Sequence, residues 1–68
     1  MKYLIIIEKT GNGYSAYLPD VPGCVAAGKT ADEVKKNIAG ALTMHLEVLA
    51  EGGEPIPKPR ARADYVAI

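Results

Sequence analysis

Lys2-Tyr3-Leu4-Ile5-Ile6-Ile7-Glu8-Lys9, then Thr10-Gly11-Asn12-Gly13, then Tyr14-Ser15-Ala16-Tyr17-Leu18, sets the architecture of this chain. The first segment is rich in β-branched side chains and too short for a helix of average length, so it reads as a strand over residues 2–9. Its apolar residues fall on both faces, Tyr3, Ile5 and Ile7 on one and Leu4 and Ile6 on the other. A strand apolar on both faces is expected to be central in its sheet and covered on both sides. Asn12-Gly13 supplies a tight turn, for which positive φ angles are expected. The second strand alternates less cleanly, with Tyr14, Ala16 and Leu18 opposite Ser15 and Tyr17. The two strands predict an antiparallel hairpin.

Pro19-Asp20-Val21-Pro22-Gly23 ends the hairpin, because each proline removes a backbone donor and restricts the residue before it. Cys24-Val25-Ala26-Ala27-Gly28 follows as a short third strand whose small side chains let a helix or a partner approach closely. Thr30-Ala31-Asp32-Glu33 is a capping box, in which Thr30 accepts from the third amide and Glu33 reaches back to the cap amide. Asp32 and Glu33 also complement the positive end of a helix. Val34, Ile38, Leu42, Leu46 and Leu49, with Ala41 beside them, then form the apolar stripe of an amphipathic helix of about 20 residues that stops at Gly52-Gly53. Glu54-Pro55-Ile56-Pro57-Lys58-Pro59-Arg60 alternates proline and predicts an extended link over residues 54–62. Tyr65-Val66-Ala67-Ile68 can return as a last strand beside the first. The predicted unit is β-β-β-α-β, one domain over residues 1–68, with a single long helix on a small mixed sheet. One helix covers one face, so the other face of the first strand is expected to be buried by a second molecule, most simply in a homodimer.

Composition narrows the function. The chain has 68 residues, 49% hydrophobic and 24% charged, with Lys+Arg and Asp+Glu equal at eight each. This is a globular mixture, and its zero net charge gives no overall attraction to a phosphate backbone. A domain of this length buries only roughly 60% of its extended-chain surface. Cys24 is the only cysteine, so no disulfide within the chain can add stability, and no cysteine–histidine cluster suggests a structural metal. Self-association is the remaining source of buried area. The opening apolar run is shorter than a signal-peptide core, and nothing approaches the ~20 apolar residues of a membrane span. A reducing, cytoplasmic location is expected.

The stretch Gly13-Tyr14-Ser15-Ala16-Tyr17-Leu18-Pro19-Asp20-Val21-Pro22-Gly23-Cys24 is the most specific in the chain. Together with Tyr3-Leu4-Ile5-Ile6-Ile7-Glu8 and Gly28-Lys29-Thr30-Ala31-Asp32-Glu33, it strongly resembles the HicB-like antitoxin family. The likeness continues through Ala39, Ala41, Leu42, His45-Leu46-Glu47, Gly52, Glu54 and Pro55-Ile56-Pro57, almost the whole chain. The resemblance implies an α+β, partly degraded ribonuclease-H-like fold. It also implies binding and neutralisation of a small, basic HicA-type toxin that cleaves messenger RNA. Family antitoxins often carry a further C-terminal DNA-binding domain. This chain stops where that domain would begin, so autonomous operator binding is not expected.

Several residues invite functional readings beside plainer ones. Tyr14 and Tyr17 lie on opposite faces of the second strand, and either can be an interface anchor or part of the sheet packing. Asp20 can present a charge to a basic toxin or fix the proline-flanked turn. Lys58, Arg60 and Arg62 can contact phosphate weakly or simply solvate the link. Cys24, with no adjacent histidine, reads as a small hydrophobe, and His45 as a residue bordering the helix stripe. Two-metal hydrolysis needs several carboxylates converging on ions about 4 Å apart. No acid interrupts Tyr3 to Ile7, where the fold would place one, so no catalytic residue, metal or cofactor is expected. A regulatory or assembly domain without a toxin would have the same motif.

Overall fold

The computed structural model describes all 68 residues. Three strands, β1 (Ile6–Lys9), β2 (Tyr14–Tyr17) and β3 (Val25–Gly28), precede one helix, α1 (Ala31–Glu51). The sheet order is β1-β2-β3 and both pairings are antiparallel. The α+β class, with one long helix packed on a small sheet, is as the sequence predicts.

Three features differ from expectation. First, β2 is the central strand and β1 lies at an edge; residues 2–5 carry the apolar pattern of a strand but have no strand partner. Second, Tyr65–Ile68 forms no strand, so the sheet is antiparallel rather than mixed. The physical reason lies in the link: Pro57 and Arg60–Ala61 are held by Tyr3 and Asp20, and the chain beyond leaves the body exposed. Third, the hairpin loop uses no positive φ at Asn12 or Gly13. Lys9 pairs with Tyr14, leaving the four residues Thr10–Gly13 in the loop, closed by the Thr10 amide on the Gly13 carbonyl at 2.9 Å. Longer loops of this kind do not need the positive φ angles of a two-residue turn. Gly13 is required for space instead, since a Cβ there would stand 2.6 Å from the Gly28 carbonyl oxygen.

The helix ends as its sequence specifies. The Thr30 hydroxyl accepts from the Glu33 amide at 3.0 Å, while the Glu33 carboxylate accepts from the Lys29 amide at 3.1 Å, one residue earlier than in the simplest capping box. At the far end Gly53 has φ 69°, the Gly53 amide donates to Ala50 at 3.1 Å and the Glu54 amide to Leu49 at 2.9 Å. This is a Schellman termination, which satisfies carbonyls the helix would otherwise leave open.

The core is small. Ala16, Leu18, Val21, Cys24, Val34 and Ile38 are buried, and Tyr3, Ile5, Tyr14, Ala26, Ala41 and Leu42 pack around them. Only the first half of the α1 stripe is therefore enclosed. A helix of 21 residues is about 30 Å long, whereas a four-residue strand spans about 13 Å, so the second half overhangs the sheet. Leu46 and Leu49, the stripe residues there, are only half-buried, and Met44 and Val48 beside them are 69% and 65% exposed. The radius of gyration, 13.2 Å, exceeds the roughly 11 Å of a compact chain this long, reflecting the overhanging helix and the projecting tail.

Candidate partner-binding surface

Cross-strand register defines the two faces of the sheet. Ala16 is buried beneath α1, and its partners Ile7 and Ala26 share that face. Tyr14, two residues from Ala16, also points to it and packs on the core. The opposite face carries the row Ile6, Tyr17, Val25 and, beside it, the row Glu8, Ser15, Ala27. Alternation adds Leu4 to the apolar side of this surface. No element of the chain covers it: Tyr17 is 42% and Val25 66% exposed. A central aromatic flanked by aliphatics, with an acid at the border, is suited to a protein surface, because tyrosine offers a large contact area and a hydroxyl together.

The two tyrosines singled out from sequence thus part company, Tyr14 joining the core and Tyr17 remaining at the surface. Asp20 is engaged within the chain. Its carboxylate accepts from the Arg60 amide at 2.8 Å and from the Ala61 amide at 2.9 Å and 3.2 Å. The Ala61 bond, then the Arg60 bond, hold its pKa below the ordinary value, since both favour the charged form. Nothing local in the sequence links Asp20 to residues forty positions later; only the fold brings them together. Lys58, Arg60 and Arg62 are exposed along the same tethered segment.

Chemistry finds little purchase elsewhere. Cys24 is buried, and burial pushes its thiol pKa up, away from a reactive thiolate. No group of three or more His, Cys, Asp or Glu side chains lies close enough to hold a metal ion. A shallow hollow between the Thr10–Gly13 loop and the start of α1 is lined partly by Glu33, whose carboxylate is already used in capping. No helix is long and apolar enough to cross a membrane.

The family model described as HicB-like antitoxin of bacterial toxin-antitoxin systems matches residues 3–67. The chain belongs to the HicB-like antitoxin family. Among solved structures, a chain of the HicA3 and HicB3 toxin-antitoxin complex is 40% identical, with a TM-score of 0.74 over 87% of this chain and 70% of that one. The antitoxin HicB3 itself is 42% identical, with a TM-score of 0.71 over 84% of this chain but 42% of its own. An uncharacterized 14.9 kDa protein of Haemophilus phage HP1 is 41% identical over 66 residues, 97% of this chain and 50% of that protein. A UPF0150 protein of Thermoplasma acidophilum is 40% identical over 62 residues, 90% of each. The HicB-like domain therefore spans half the phage relative's length but nearly all of the archaeal one.

Proposed function

We propose that this HicB-like domain is a non-catalytic antitoxin that acts in the cytoplasm by binding and neutralising a small, basic HicA-type ribonuclease toxin. The observation that carries the reading is the 40% identity, across 87% of the chain, to a chain from a toxin-antitoxin complex. The uncovered sheet face supports it physically. Tyr17 is the anchor, with Ile6 and Val25 in its row excluding water, a distribution in which a central aromatic carries a large share of the binding energy. Glu8 on the same face supplies charge of the sign a basic ribonuclease attracts.

Co-expression of the chain with a HicA-type toxin encoded beside it tests the proposal. A stoichiometric complex in which messenger-RNA cleavage is suppressed is the expected result; free toxin activity at saturating antitoxin would overturn it. Tyr17→Ala should weaken that complex by at least about tenfold, the loss typical of an interface anchor, while the circular dichroism of the free chain stays unchanged. Unaltered affinity would move the toxin to another surface.

A further inference from the structure

Lys58, Arg60 and Arg62 are the only charged residues between Glu54 and Asp64, and antitoxin action through the Tyr17 face leaves them without a role. They alternate with Pro59, Ala61 and Ala63, which put little bulk between them. All three are exposed, and none of their side chains enters a hydrogen bond within the chain. The two acids beside them, Asp20 and Asp64, accept from main-chain amides instead.

The segment that carries these cations is fixed. The Tyr3 hydroxyl donates to the Pro57 carbonyl, the Arg60 and Ala61 amides donate to Asp20, and Pro57 and Ala61 are half-buried. Pro55, Pro57 and Pro59 stiffen it further, each locking its own φ. Alternation along extended chain sets Lys58, Arg60 and Arg62 on one side, away from Pro57 and Ala61. Two residues of such chain span about 7 Å, a step comparable to the spacing of successive phosphates along an extended nucleic-acid strand. Three residues past Arg62, Tyr65 is 96% exposed.

We propose that residues 58–65 form a binding strip for single-stranded nucleic acid, in which Lys58, Arg60 and Arg62 contact phosphates and Tyr65 stacks on a base. A row of cations fits any polyanion, but the aromatic selects nucleic acid, because a base offers a π-face and a lipid headgroup does not. Only an unpaired base leaves that face free, which selects a single strand over a duplex. Holding the segment beforehand removes much of the ordering entropy that a flexible basic linker would lose on binding. Three phosphate contacts are few, and the zero net charge of the chain adds no long-range attraction, so binding is modest and falls with salt. The strip uses no residue of the Tyr17 face, and its occupancy can be measured without a toxin.

Fluorescence anisotropy of labelled oligouridylate and oligothymidylate of about twelve nucleotides, a length within the site sizes of small single-strand binders, tests the proposal on the chain alone at low salt. Binding is expected, with log affinity falling against log salt at a slope of about −2, from three contacts at about 0.7 each. The tighter of the two oligonucleotides identifies the strand as RNA or DNA. Lys58→Gln, Arg60→Gln and Arg62→Gln together should abolish the salt-dependent binding. Their main-chain anchoring to Asp20 is untouched, and an unchanged circular dichroism spectrum would report the intact fold. Tyr65→Ala should weaken binding about tenfold without altering the slope, while Tyr65→Phe keeps the affinity. No binding at low salt, equal affinity for a duplex of the same length, or indifference to either the triple substitution or Tyr65→Ala would overturn the proposal. Binding to phosphatidylglycerol vesicles in place of the oligonucleotides would do so as well.

Discussion

The two edges of the sheet are built differently. At β3 the start of the helix caps one end of the edge: the Asn37 side-chain amide donates to the Ala27 carbonyl at 2.8 Å, and Gly28 lies so close to α1 that a Cβ would stand 2.6 Å from the Val34 backbone nitrogen. At β1 nothing lies alongside, although the residues there are the more apolar. A sheet edge closed from within is made of small residues and one polar cap, as Val25-Ala26-Ala27-Gly28 is. The edge without such a cap carries larger aliphatics, Ile6 and Ile7, with Leu4 and Ile5 leading into it. The difference teaches that side-chain size along an edge strand reports what approaches it, not only how well the strand forms.

The closed edge can be broken most severely at Gly28. Gly28→Ala places a methyl 2.6 Å from Val34 nitrogen and 2.9 Å from Val34 Cα, both backbone atoms that cannot swing aside. A loss of about 2–3 kcal/mol is expected, as for other forced overpacking, and a fall in the urea midpoint at constant slope would measure it. An unchanged midpoint would mean that the helix rides on the sheet more loosely than the geometry indicates. A smaller effect is expected from Asn37→Ala, which removes the cap from the Ala27 carbonyl. About 0.5–1 kcal/mol should be lost because water can replace the donor at this exposed site. If Asn37 does blunt the edge, amide exchange near β3 should quicken while that near β1 stays as before.

The smallest effect concerns the link that aims the tail. Asp20 has a depressed pKa in the folded chain, so its contribution is fully present above the ordinary carboxylate value of about 3.9 and is lost as pH falls through the lower folded value. Exchange of the Arg60 and Ala61 amides should therefore accelerate in acid before the core amides respond. Asp20→Asn should show the faster exchange already at neutral pH. Equal protection of these amides in both variants would mean the link is held by something other than this carboxylate.

Much of the fold was legible from local pattern. The capping box of Thr30 and Glu33, the Gly52-Gly53 stop and the period of Val34 and Ile38 are signals carried by neighbours a few residues apart, and the helix follows them closely. The hairpin was also legible, though the role of Gly13 was not: its need is the nearness of Gly28, which belongs to another strand. Of the candidate partner residues, Tyr14 and Tyr17 could be separated into faces by alternation, but which face α1 would cover had to be seen. Asp20 showed the limit most plainly. Its proline-flanked position is a local fact, whereas its two backbone partners lie forty residues on.

By itself, then, the amino-acid sequence determined the three strands, the helix, their order and the family, because capping, turn chemistry, period and motif spacing act over short stretches of chain. Only the tertiary structure decided that β2 rather than β1 is central, that Tyr17 stays exposed and that the last residues pass their own sheet without pairing. Those outcomes rest on long-range contacts: the sheet order set by the two pairings, and the Tyr3 and Asp20 hydrogen bonds that hold the link across the end of the sheet.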